Sequence, residues 1–438
     1  MMKKLGIGLL VVALAFFTFL WVKKGKIEDK LTALLHNQPV QIEQLSIGFL
    51  PLPNLSLQNV KYTINEHHQL NAERLNIQLN WWSVLQGEPE VSMIKIANGT
   101  LWREAIPLLK NINSTIKPAQ FSLTQISTLI EQYKNREARD TLWPKISVEL
   151  SAVNRENDQF NLQIDQLTTT PNAINWHNLQ AELKLQNKRL FNTQQLVIYA
   201  QNGTLNQFEQ HYKVRTDLTL NKLQFNHVEG WIDWRSNIEG TLKLIGSNGE
   251  NADLFISPNL FQLMGKQLSV QAVLETLNIP VLVTGKVDAQ VQLFTNNFLP
   301  YQGEILAEIT NGTVNGLNLL ELISQYAPIN YDEDKLSQEK TTTWFERLAM
   351  HFYWEPTRLQ IKKTELIHPR FVVHSVGNID LIHGQCDVNS EISLNDTQYA
   401  NLRLPVHFFG DCKSPQYKVK FNRAFREQLK EFIREKLK

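Results

Sequence analysis

The 438-residue chain reads as mainly β with a few helices: an N-terminal transmembrane helix, a long antiparallel β-sheet and a C-terminal amphipathic helix. Three observations carry that reading. Residues 5–22 form a charge-free apolar run, apolar and polar residues alternate along most of the remaining chain, and Asn-Gly pairs punctuate the alternation. A period of two gives a strand one apolar and one polar face, and Asn-Gly supplies the positive φ angles of tight hairpin turns.

The first element is LGIGLLVVALAFFTFLWV, Leu5 to Val22, which at 1.5 Å per residue covers about 27 Å of the roughly 30 Å hydrocarbon core. Lys3, Lys4, Ala13 and Ala15 also suit a signal peptide, but cleavage after Ala15 would leave FFTFLWV as the new terminus, so an uncleaved anchor fits better. Lys3 and Lys4 face Lys23, Lys24 and Lys26 across the span, and the positive-inside count is close to a tie. Beyond the anchor, KKGKIEDKLTALLHN continues as a polar-headed helix with Ile27 and Leu31 on one face.

From Val40 the period becomes two. Leu75, Ile77 and Leu79 alternate with polar residues, as do Ile146, Val148 and Leu150, then Phe160, Leu162 and Ile164, then Leu179, Ala181, Leu183 and Leu185. Val214, Leu218 and Leu220 continue the pattern, followed by Val287, Ala289, Val291 and Leu293. Asn98-Gly99, Asn202-Gly203, Asn248-Gly249 and Asn311-Gly312 mark expected hairpin turns, three of them within a loose repeat: IANGTLW, YAQNGTL and ITNGTVNG. Helical patterns are expected over Phe121 to Arg139, over Leu317 to Tyr326 opening near Asn318, and from Arg423 to Lys438. Helices this few leave a one-faced sheet to close on itself or to stay open as a trough, and sequence physics alone favours closure.

Composition narrows the function classes. Charged residues make up 20% of the chain, hydrophobic ones 42%, and the formal net charge is +1, which fits neither a nucleic-acid binder nor a disordered chain. No HExxH, Walker A, GxSxG or GxGxxG pattern occurs, and the histidines are scattered. No catalytic residue, metal site or cofactor is therefore expected, and the chain is not read as an enzyme. Cys386 and Cys412 fit either one disulfide, worth about 3 kcal/mol by loop closure, or two buried thiols. The last helix places Phe425, Leu429, Phe432 and Ile433 on one side among basic residues. Such a helix suits an anionic membrane, a protein partner, or a cap on the last strand.

Several ordered stretches carry a family resemblance. FLPLPNLSLQNVKYTI and AERLNIQLNWWSVLQGEPEVSMIKIANGTLW come after the anchor, with Pro51, Pro53, Ala72, Leu75 and Gly87 as their marked positions. Toward the C-terminus stand ITNGTVNGLNLLELI, TTTWFERLAMHFYWEPTRLQIKKTELIHPRFVVHSVGNIDL and NLRLPVHFFGDCKSPQYKVKF, the last around Pro405 and Pro415. These resemble the AsmA family of bacterial envelope proteins over residues 30–110 and 285–438. Residues 111–139 look like an added helix and loop, and 331–340 a polar loop without a family counterpart.

The resemblance implies a cytoplasmic tail at 1–4, an inner-membrane anchor at 5–22 and a periplasmic body. That body divides into β regions at 23–284 and 285–422 and the helix at 423–438. It also implies a part in outer-membrane biogenesis and kinship to bridge-like lipid-transfer proteins, whose elongated, curved sheet forms an open or partly closed trough. Membrane phospholipids, and with them envelope assembly proteins, are then the expected partners. Leu75, Ile77, Leu79, Leu183, Leu218 and Val291 are the candidates for the apolar floor, although for any one of them an ordinary dry core is the more frequent environment. The alternative is a non-enzymatic assembly or regulatory factor with a closed β core. Roughly 15 to 20 strands at about 4.8 Å would stack to about 70 to 95 Å, too short to join two membranes alone.

Overall fold

The structure is a computed structural model that describes residues 40–49, 51–64, 67–119, 121–122, 145–170, 172–186, 193–208, 211–233, 239–296, 298–326, 342–395, 402–421 and 423–436. The expected anchor at 5–22, the polar-headed helix after it, the loop at 331–340 and nearly all of the expected helix at 121–139 lie outside these residues. No described helix is long and apolar enough to cross a membrane.

The described residues are dominated by 24 strands, β1 to β24 in chain order, with four helices among them. The chain divides into two compact units, one holding residues up to Gln186 together with Tyr199–Asn206, the other holding the remainder. The first unit is an antiparallel ladder. β1 (Val40–Gln41) and β2 (Gln44–Gly48) pair with β3 (Asn54–Thr63), and the ladder continues through β4 (His68–Leu79) and β5 (Glu90–Arg103). β6 (Ile106–Pro118), β8 (Ile146–Asn154), β9 (Gln159–Thr170) and β10 (Ala173–Lys184) come next in order, while β7 (Phe121–Ser122) pairs with β5. Residues 111–118, expected as an added helix and loop, are therefore strand: their backbone groups pair with β5 and β8.

In the second unit, β12 (His211–Leu220) to β24 (Gln416–Val419) form a meander in which each strand pairs with the next. Three helices face it: α2 (Val270–Thr276), α3 (Leu319–Ser324) and α4 (Arg423–Lys436), after α1 (Trp81–Gln86) of the first unit. α3 opens on Asn318, whose side chain accepts from the Glu321 N–H, as the sequence suggests. The helical pattern of the sequence does not announce α1 or α2, which are too short to show a period. α1 is capped by the side chain of Asn80 and closed by Gly87 at φ 90°, and α2 is capped by Ser269.

Three of the four expected hairpin turns are instead strand interiors. Asn98-Gly99 lies within β5, Asn202-Gly203 within β11 (Gln195–Phe208), and Asn311-Gly312 within β18 (Leu299–Asn315). Asn248-Gly249 does turn the chain between β14 (Glu239–Ile245) and β15 (Asn251–Ile256), with Gly249 at φ 85°. Asn98 and Asn311 keep the left-handed conformation at φ 52°, but they use it to rotate the strand rather than reverse it.

Asn59, Asn111, Asn178 and Gln267 do the same at φ 50°, 51°, 51° and 54°. At such a residue the buried positions step by three instead of two: Leu57 and Val60 flank Asn59, and Ile309 and Gly312 flank Asn311. A carboxylate of a neighbouring segment, on a strand in three cases and in the bend between β1 and β2 for Glu43, repeatedly holds the kinked residue. Asn98 Nδ2 donates to Glu73 at 2.7 Å, Asn178 Nδ2 to Asp165 at 3.1 Å, the Gln267 N–H to Asp288 at 2.8 Å, and Asn59 Nδ2 to Glu43. The register shifts across Gln267 and Asn311 toward β17 and across Asn98 and Asn111 between β5 and β6, as at a bulge, whereas it holds across Asn59 and Asn178. In both cases the kink lets the two halves of a long strand present apolar side chains to the same side.

Candidate functional site

The register builds two cross-strand rows on the apolar face of the first unit. One runs Leu55, Ile77, Ile94, Ile116, Val148, Ile164, Leu179. Its neighbour runs Leu57, Leu75, Ile96, Ser114, Leu150, Leu162, Ala181. Each crosses seven strands, or about 29 Å at 4.8 Å per gap, and thirteen of the fourteen side chains are apolar.

Ile77, Ile94, Ile96, Ile116, Val148, Leu150, Leu162 and Leu179 are half-buried. Side chains pressed between two layers fall nearly to zero exposure, as Leu55 does at 0%, so the middle of this face is not sandwiched among the described residues. The covered end is local: α1 seats Val84 against Leu55, Leu79 and Val91, with Phe49, Ile77 and Ile94 around them. Beyond the other end of the rows, Trp176 lies over Gly203, where an added Cβ would stand 1.9 Å from its ring.

The opposite face is polar along the same strands: Asn76, Lys95, Thr115, Glu149, Gln163 and Gln180 form a matching row. A shallow depression lies over them. Its charges are tempered by neighbours, with Lys117 3.7 Å from Glu149 and Asn161 donating to Glu182 at 3.0 Å.

The second unit treats its apolar face differently. Val287, Ile309, Leu348, Leu366, Val373, Ile392 and Leu404 form one row and are all buried, together with Val270 of α2, Leu319, Leu322 and Ile323 of α3 and Phe425 of α4. A second cluster gathers Leu293, Trp354 and Leu381. Between these, Leu242, Leu254, Leu263, Val291, Ile305 and Phe352 form a row that stays half-buried.

The candidate floor residues thus separate. Leu75 and Ile77 stand on the half-exposed face of the first unit, and Leu183 is half-buried there beside Phe160. Leu79 is 2% exposed in the cluster under α1. Leu218 packs against the core of the second unit, and Val291 against its Leu293–Trp354 cluster. In α4, Phe425 is 2% exposed and Leu429 packs beside it, which is the arrangement of a cap; the side chains of Phe432 and Ile433 lie outside the described residues. Cys386 and Cys412 are joined as a disulfide. Sequence reasoning missed Ile94, Ile96 and Ile116 as floor residues, although EVSMIKIANGT already alternates.

Perturbed titrations are few. His368, stacked on Phe371 with centroids 4.4 Å apart, is lowered to about 4 by burial and by Arg370. Glu250 is lowered chiefly by its hydrogen bond from Lys286 at 2.7 Å, and Asp380 by that from His383. These are turn and strand-edge contacts. No group of three or more His, Cys, Asp or Glu that could hold a metal occurs among the described residues.

No family model matches the chain, and no solved structure does. A protein of Haemophilus influenzae described as uncharacterized is similar, 27% identical over 444 aligned positions that cover 100% of both chains. The likeness therefore runs through both units.

Proposed function

We propose that this chain is an inner-membrane-anchored, periplasmic protein of the AsmA kind that shields phospholipid acyl chains on the apolar face of its first unit. In that role it supports outer-membrane assembly without catalysing a reaction. The observation that supports this reading is the pair of apolar rows, seven strands wide and half-exposed. At about 0.8 kcal/mol per methylene, a 16-carbon chain costs on the order of 12 kcal/mol to expose to water. A continuous apolar strip offsets that cost, and the polar face behind it keeps the sheet soluble.

The second unit favours a narrower version of the idea. Its own helices already fill one end of its apolar face, so the first unit offers the larger free surface. A sealed core of that kind is also what the alternative, an assembly factor for outer-membrane proteins, would require.

Photo-crosslinkers at Leu75, Ile94 and Leu150, with controls at Lys95 and Gln163 on the reverse face, separate the two. The floor positions are expected to capture phospholipid and the controls none. Equal capture by both sets removes the lipid reading.

A further inference from the structure

The net charge of +1 conceals a partition. Residues 413–438 hold nine Lys and Arg against three Glu, a net of +6, which leaves −5 for the other 412 residues. Among the described residues that excess falls on two faces of the second unit. Lys418 and Lys420 alternate with the core-facing Val419 and stand on the sheet face away from α4, whereas α4, packed on the core side through Phe425, exposes Arg423, Arg426, Lys430 and Arg434 beside Glu427 and Glu431.

Two exposed aromatic rings stand on the same side of the sheet as α4, Tyr417 at 41% beside Phe408 and Phe421 at 48%. Phe421 is held from behind by Tyr326 and Phe425, with ring centroids at 6.1 and 5.5 Å. The cations are lightly committed. Lys430 meets Glu427 at 3.5 Å, and Arg426 Nε donates to the Phe421 carbonyl at 2.9 Å.

We infer that the exposed side of α4, with Phe421 beside it, is a docking site for an anionic phospholipid membrane. Positive charge beside exposed aromatic rings matches a headgroup layer with its negative surface potential, where Lys and Arg bind by charge and rings settle at the boundary with the acyl region. The attachment is peripheral. Phe425 and Leu429, the apolar side chains that an inserted amphipathic helix would sink into lipid, are occupied by the core of the unit, so binding comes from charge with a small aromatic contribution. Such an attachment weakens with salt as the Debye length shortens. The inference does not depend on where acyl chains lie.

The test holds the full chain by its N-terminal segment in neutral phosphatidylcholine nanodiscs and offers phosphatidylcholine vesicles with or without phosphatidylglycerol. Capture of the anionic vesicles alone is expected, lost in high salt. At roughly fivefold in affinity per cation, the triple change Arg426→Gln, Lys430→Gln, Arg434→Gln lowers capture by at least about tenfold. The salt titration of the unaltered chain stands even if the triple variant fails to fold. Equal capture of neutral and anionic vesicles, capture of neither, or capture by a folded triple variant that is undiminished would overturn the proposal.

Discussion

At the scale of single residues, His368 gives the sharpest expectation. Its Nδ1 accepts the Arg370 backbone N–H at 3.1 Å, a bond that needs the ring lone pair, while the ring stacks on Phe371. Burial of the ring, and then the nearby positive charge of Arg370, disfavour the protonated form, which is why the folded pKa falls from 6.5 to about 4. The unfolded chain takes up the proton first, so the stabilising difference is fully present above about pH 6.5, declines as pH falls toward 4, and is gone below that. The lowering corresponds to roughly 3 kcal/mol. Denaturant melts of His368→Phe at pH 7 and pH 4 are expected to show a loss smaller than that of the parent chain by about that amount. Equal losses would place the titration elsewhere.

Elements show what the sequence carried and what it hid. Alternation from Leu75 to Leu79 and from Val287 to Leu293 was sufficient to read strands there, because each half of a long strand obeys its own period of two. The Asn-Gly pairs misled because a type I′ turn and a mid-strand bulge ask the same thing of Asn, a left-handed φ. What distinguishes them is the apolar pattern on either side. In β5 the inward residues Ile94 and Ile96 resume at Gly99 and Leu101 after one slip, whereas a turn would end the strand. The register pairing that turns Ile94 and Ile116 into neighbours is non-local, so no window of sequence displays the floor as a row.

The kink predicts its own mutational signature. Valine is strongly disfavoured at φ 52° and lacks the Nδ2 that reaches Glu73, so Asn98→Val should cost about 1 to 2 kcal/mol. Asn98→Gly keeps the backbone conformation and should cost less than half as much. Urea midpoints measure both, and a valine variant as stable as glycine would mean that the bulge is not under backbone control.

For the whole molecule, the separate clusters of the two units predict stepwise unfolding. The first unit buries a small cluster under α1 and leaves much of its apolar face half-exposed. The second encloses a far larger cluster and carries the Cys386–Cys412 disulfide across a separation of 26 residues. A chain of strands that contact mainly their neighbours adds stability locally, and two such units need not obey a single two-state transition. Calorimetry of the full chain is expected to resolve two steps, with the first unit melting earlier because less apolar area leaves water when it folds. Reduction of the disulfide, or Cys386→Ser with Cys412→Ser, removes about 3 kcal/mol of loop-closure stabilisation. That should lower only the later step, by about 6 to 12 °C for a unit of this size. One cooperative transition that shifts as a whole on reduction would show instead that the strands share a single folding unit.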